Sequence, residues 1–160
     1  STLTVRNITT GGTATTGTIT GNWSLDTGSR LQATYADLAE RYESDGPYEA
    51  GTVMMFGGEC EITESKTSND HKVMGVISTD PAIVMNSQAG TNMTHPYIAL
   101  TGRVPCKVVG GINKGDLLVS SDVPGHAMAN NNAQSGRIIG KAMENHTGSK
   151  GVIEVLVSLM

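Results

Sequence analysis

The sequence predicts an all-β protein: a compact β-barrel or sandwich with one short helix and an extended, Thr-rich N-terminal arm. Three observations lead there. From Gly51 onward, short runs rich in Val, Ile and Thr recur at close spacing between Gly, Asn, Asp and Pro clusters, a pattern that suits a barrel or sandwich and not alternating strand–helix units. Glycine reaches 20 of 160 residues, close to twice the usual ~7%, so turns are abundant. Apolar residues make up 38% and charged residues 16%, with a net charge of −4, which is polar but far from the highly charged composition of disordered chains. At ~100–200 residues per domain, the length holds one main domain and no second one of enzyme size.

Residues 1–33 read as an arm or stem and residues 34–160 as the globular domain. Nine of the first 20 residues are Thr, broken by Gly11-Gly12 and Gly17, and apolar residues alternate only in Leu3-Thr4-Val5 and Thr18-Ile19-Thr20. Thr favours extended backbone, yet so few apolar groups bury no core of their own, so pairing with neighbouring copies is the expected use. A low-complexity linker is the alternative. From Tyr35 to Glu43, Tyr35, Leu38, Ala39 and Tyr42 fall at i, i+3, i+4 and i+7, which predicts a helix of two or three turns ended by Asp45-Gly46-Pro47. Strands are expected at 52–56, 60–63, 72–78, 97–109, 116–119, 138–143 and 152–159. Pro105 should mark an edge or a break in its strand, because it has no N–H for the ladder. The last strand, apolar nearly throughout, should lie inside a sheet.

Several function classes find no support. The 11 Lys and Arg are scattered among 15 Asp and Glu, without a basic stripe or aromatic platform, so nucleic acid is not an expected partner. No run of about 20 apolar residues and no charged-then-apolar leader is present, which argues against membrane insertion and export. Ser1 is the residue left when an initiator Met precedes a small residue, so a complete small protein and a fragment are both open. Cys60 and Cys106 lack zinc spacing and are expected as free thiols, with a disulfide between them as the alternative.

His71, His95, His126 and His146 are isolated, each in a turn-like context, and no metal site or cofactor is expected. Asp37 and Glu40, within the acidic group Asp37, Glu40, Glu43, Asp45 and Glu49, form the one conceivable carboxylate pair; a solvated acidic face explains them more simply. Ser78-Thr79-Asp80 and Ser120-Ser121-Asp122 place hydroxyls beside carboxylates without a nucleophile elbow, and read as hydrogen-bonded turns. No catalytic residue is assigned on these grounds.

The run GNWSLDTGSRLQATYADLAERYESDGPYEAGTVMMFGG from Gly21, followed by HKVMGVISTDPAIVMN, ALTGRVPCKVVGGINKGDLLVSSDVPGHAMA, GRIIGKAME and GVIEVLVSLM, resembles the C-terminal module of virion and tail-fibre proteins of contractile-tailed phages, those of marine cyanobacteria above all. The resemblance spans nearly the whole chain. More distantly, the same blocks are similar to the autoproteolytic intramolecular-chaperone domain of phage neck-appendage proteins, a family of trimers that cut themselves free after the fibre folds.

The resemblance implies a non-enzymatic virion component: a homotrimer that meets other virion proteins, with a host surface glycan as a further partner, located in the phage particle. The alternatives are a single-turnover self-cleaving peptidase, for which Asp37 and Glu40 lie in the matching Tyr-Ala-Asp block, and a capsid decoration protein. With only Trp23, Phe56 and four Tyr for aromatic bulk, Trp23, Tyr35, Leu38 and Tyr42 are the expected interface anchors, buried between arm and barrel.

Overall fold

A computed structural model describes residues 20–159. The chain divides into two units, Ser1–Gln32 and Ala33–Met160. The Thr-rich stretch assigned to the arm lies, as far as residue 19, outside the described residues. Residues 20–32 are exposed throughout and hold one turn, in which Ser29 N–H donates to Asp26 O at 3.0 Å.

The second unit is built from ten strands. They are β1 (Asp37–Arg41), β2 (Val53–Phe56), β3 (Ile62–Glu64), β4 (Val73–Ile77), β5 (Ile83–Met85), β6 (Tyr97–Ile112), β7 (Leu117–Ser120), β8 (Ala127–Ala129), β9 (Ile138–Ala142) and β10 (His146–Ser158). Among the described residues there is no helix. The pairing order β6–β10–β9–β7–β8 returns to β6 and closes a five-stranded barrel. Its interior is branched and aliphatic: Val104, Val108, Leu118, Ile139, Ile153 and Val155 among others. On the other side of the molecule, β6 continues into a sheet in which β4, β2 and β3 follow one another on one flank and β1 and β5 lie on the other. That sheet covers a second cluster of Met54, Ile62, Met74, Ile77 and Ile98, with Tyr42, Tyr48 and Leu100 half-buried against it.

β6 serves both layers by reversing its inward face. Ala99 points to the barrel side while Ile98 and Leu100 join the second cluster; beyond Gly102 the even positions Val104, Cys106 and Val108 fill the barrel. Gly102 sits at φ +112°, a conformation open to glycine and rare for other residues. A side chain there would also overlap Ala36 O and come within 2.6 Å of Asp37 Cα. This glycine therefore turns the strand over and lets β1 approach closely.

The helix expected over 35–43 is not formed; the segment is strand β1. The apolar spacing that suggests a helix is cancelled by what the chain packs against. Asp37, Ala39 and Arg41 face inward and Leu38 and Glu40 are half-buried, a strict period of two. Backbone groups are claimed by β5 on one flank and β6 on the other, and pairing with two neighbours outweighs a weak local helical preference.

Pro105 neither ends nor breaks β6. The flanking N–H groups of Arg103 and Lys107 donate away from β10, to Ala36 O at 3.1 Å and Gly51 O at 2.8 Å, so alternation points the ring nitrogen of Pro105 the same way. That flank carries no strand between the β1 and β8 contacts, and no ladder bond is lost. β10 lies between β6 and β9, inside the sheet, as its apolar sequence requires.

Candidate functional site

The inward side of β1 and the end of β4 place three polar side chains where apolar ones would be expected. Asp37 is 6% exposed, and Arg41 and Ser78 are likewise buried. The Asp37 backbone is fixed from two sides: its carbonyl accepts from Ala82 N–H at 2.8 Å, and Gly102 lies opposite it on β6. Ser78, next after β4, is held through its own N–H, which donates to Tyr97 O at 2.8 Å. Neither Asp37 Oδ2 nor Ser78 Oγ has a hydrogen-bond partner.

Burial pushes the Asp37 carboxyl above the ordinary aspartate value of 3.8. The Ser78 hydroxyl and the residue's own backbone oppose that shift, and the charge of Asp80 adds to it. The physical reason is that a carboxylate removed from water, with little to solvate it, holds its proton more tightly.

Arg41 braces the wall beside this pair. Its guanidinium lies 3.7 Å above the centre of the Tyr97 ring, donates to His95 O, and donates to Asn92 Oδ1 at 2.9 Å, while Asn86 Nδ2 donates to Arg41 O at 3.2 Å. These bonds tie the 86–96 loop to β1. A cavity of about 260 Å³ opens alongside, lined by Tyr48, Ser78, Thr79, Asn92, Pro96 and Tyr97 among others. Within this region a buried acid, an adjacent hydroxyl and an aromatic-walled recess come together. A second recess, about 430 Å³, is lined by Val73, Ser135, Gly136, Ile138 and Leu159 and has no titratable side chain.

The carboxylate pair read from the sequence is not brought together. In a strand, residues three apart point to opposite faces, so Asp37 turns inward while Glu40 lies on the outer side, where Tyr42 OH donates to its Oε2 at 2.8 Å. Burial and Glu40 together drive the Tyr42 hydroxyl up to about 12. Asp80 is the second carboxylate that Asp37 feels, a relation hidden by their separation in sequence.

Ser120 and Ser121 are the hydrogen-bonded turns expected of them: Ser120 Oγ donates to Thr67 O at 2.8 Å and accepts from Asp70 N–H, and Ser121 Oγ donates to His126 O at 2.9 Å. Ser78, with the same neighbours in sequence, differs because its hydroxyl is buried without such a partner.

The four residues expected as interface anchors are accessible to different degrees in the single chain. Trp23 is 60% exposed, Tyr35 is 61% exposed, and Leu38 and Tyr42 are half-buried, Tyr42 meeting Phe56 edge-on at 6.4 Å. Cys60 and Cys106 are both free thiols, and burial drives that of Cys106 up to about 12. Each histidine is engaged locally: His146 Nδ1 with Gly110 O at 2.8 Å, His126 Nδ1 with Pro124 O at 2.6 Å, His95 Nδ1 with Thr94 Oγ1 at 3.1 Å and His71 with Asp70 at 3.5 Å. Among the described residues, no three His, Cys, Asp or Glu side chains converge to hold a metal ion.

No known protein family and no curated protein matches the sequence. Among solved structures, the fold is similar to the crystal structure of the C-terminal fragment of bacteriophage phi29 gene product 12. The TM-score is 0.58 at 16% identity, and the alignment covers 76% of this chain and 100% of that fragment. The likeness at that identity is one of fold: this β architecture is also that of a fragment of a phage protein.

Proposed function

We propose that the chain is a structural component of a phage particle, a tail-fibre or related appendage module of a contractile-tailed phage, which works by assembling with copies of itself as a trimer and with other virion proteins. The observation that carries this reading is the fold match over the entire phi29 gene product 12 fragment. It is supported by the ordered sequence blocks YADLAERY, GVIST and GRVP, which resemble phage virion proteins. The test is localisation: antibody labelling of intact virions should mark the tail or its appendages. Label confined to the capsid shell would transfer the protein to the decoration role, and absence from purified particles would end the proposal.

A second reading, self-cleavage, is favoured by one observation: Asp37 is a buried acid with an unpartnered oxygen near Ser78, and Ser78 lines a recess. A carboxyl whose hold on its proton is strengthened by burial can deliver that proton to the leaving amine while water attacks the carbonyl carbon of a scissile peptide bond. On this reading, mass spectrometry of the chain expressed with its natural preceding sequence shows spontaneous cutting. Asp37→Asn abolishes it, while Glu40→Gln, altering the opposite face of β1, leaves it intact. Equal cutting in the Asp37→Asn protein excludes the reading.

A further inference from the structure

Two strands end the open sheet, and they are guarded differently. β3 is covered at Ile62, whose N–H donates to Glu43 O at 3.0 Å and whose carbonyl accepts from Asp45 N–H at 3.3 Å, and it carries Glu64 with Glu61 and Lys66 beside it, charges of the kind that keep an edge from pairing with another chain. β5 is Ile83-Val84-Met85, without a charge, with Ile83 53% and Met85 38% exposed. Among the described residues it pairs only with β1. Ala82 N–H donates to Asp37 O, and the alternation of a strand then turns the N–H of Val84 toward β1 and those of Ile83 and Met85 outward. Leu38, half-buried and in register with Ile83, widens the apolar strip on the same face. A soluble chain leaves such an edge bare only at the risk of indiscriminate pairing.

We infer that β5 is a receptor for an added strand and that its occupant is the Thr-rich arm, residues 1–19, of a second copy of this chain. The inference rests on the self-association reading above and says which surfaces carry it. Of those residues only Arg6 is charged, and the alternating pieces Leu3-Thr4-Val5 and Thr18-Ile19-Thr20 offer β-branched side chains at strand spacing to a short, uncharged edge. Reach is sufficient. The 17 residues from 20 to 36 span up to about 55 Å when extended, more than the roughly 35 Å width of a domain this size.

The experiment uses the full-length chain, with its mass followed by light scattering and its amide exchange read at Ile83 and Met85. Ile83→Lys places a charge on the edge; Ile83→Pro removes one outward N–H and leaves the pairing with β1 untouched; Met85→Lys repeats the block at a second position. Circular dichroism verifies that each variant folds. The parent is expected at a multi-copy mass, with these amides exchanging at least tenfold slower than the remaining one does in Ile83→Lys, and the folded variants are expected at single-copy mass. If the parent assembles but these amides exchange freely and the variants assemble equally well, the edge assignment is overturned while self-association stands. If the parent is a single copy at every concentration, self-association fails, and this assignment with it. A two-copy species with protected β5 amides and unprotected amides in residues 1–19 overturns the choice of occupant, because β5 would then be pairing with itself.

Discussion

The barrel and the sheet beside it share one strand, β6, yet bury their residues in different ways. The barrel is closed, has no edge, and is filled with Val, Ile, Leu and Ala. The flanking sheet keeps two edges, relies on Met54 and Met74 with half-buried tyrosines, and holds unpartnered polar atoms on Asp37, Arg41 and Ser78. The barrel strands pair around a closed ring and leave no free end strand. The unpartnered buried polar atoms of Asp37, Arg41 and Ser78 and the free strand edge of β5 all lie in the flank.

The largest expected effect is in the barrel seam. A Cβ on Gly140 would overlap Leu156 O and lie 2.9 Å from Val157 Cα, both backbone atoms of β10 that cannot yield singly. Gly140→Ala should cost about 3 kcal/mol or more in urea unfolding; a cost below about 1 kcal/mol would mean that the seam is loose. Next in size is a direct contrast of the two interiors. Leu118→Ala removes a fully buried barrel side chain and should cost about 3 kcal/mol, whereas Met54→Leu in the flank should cost less than about 1.5 kcal/mol because a flexible thioether is readily replaced. Similar costs would erase the distinction.

The smallest effect is a pH dependence. Because the folded-state value of Asp37 is raised, the folded chain binds more protons than the unfolded one above the ordinary value of 3.8. Stability from this group is thus present below that value and is lost as pH rises through the folded one. The Asp37→Asn protein should lose this part of the decline, read from melting temperatures between pH 3 and pH 7; parallel profiles would show that the carboxyl is solvated after all.

Much of this architecture is legible in the residues, and the failures have physical causes. β2, β4, β6, β7, β9 and β10 are rich in Val, Ile and Met between turn residues, so their burial shows directly in composition. β1 hides because two of its three inward residues are Asp37 and Arg41: polarity at buried positions masks the period of two, while Tyr35, Leu38, Ala39 and Tyr42, drawn from both faces, fall by accident at a helical spacing. β5 and β8 are three residues each, too short to show any period. For the site, Asp37 stands out within the acidic group, but its neighbours come from the end of β4, and no local pattern separates Ser78 from Ser120. The difference between an orphaned hydroxyl and a satisfied one exists only after folding.

Gly102 has one more consequence. Asp37, at the entry to β1, and Val157, near the exit of β10, are both in register with this residue on opposite flanks of β6. At about 4.8 Å between strands, the two ends of the folded unit are only about 10 Å apart. A pull applied between these two ends would therefore cross three strands at a single level, β1, β6 and β10, and would enter the barrel only through its β6–β10 seam.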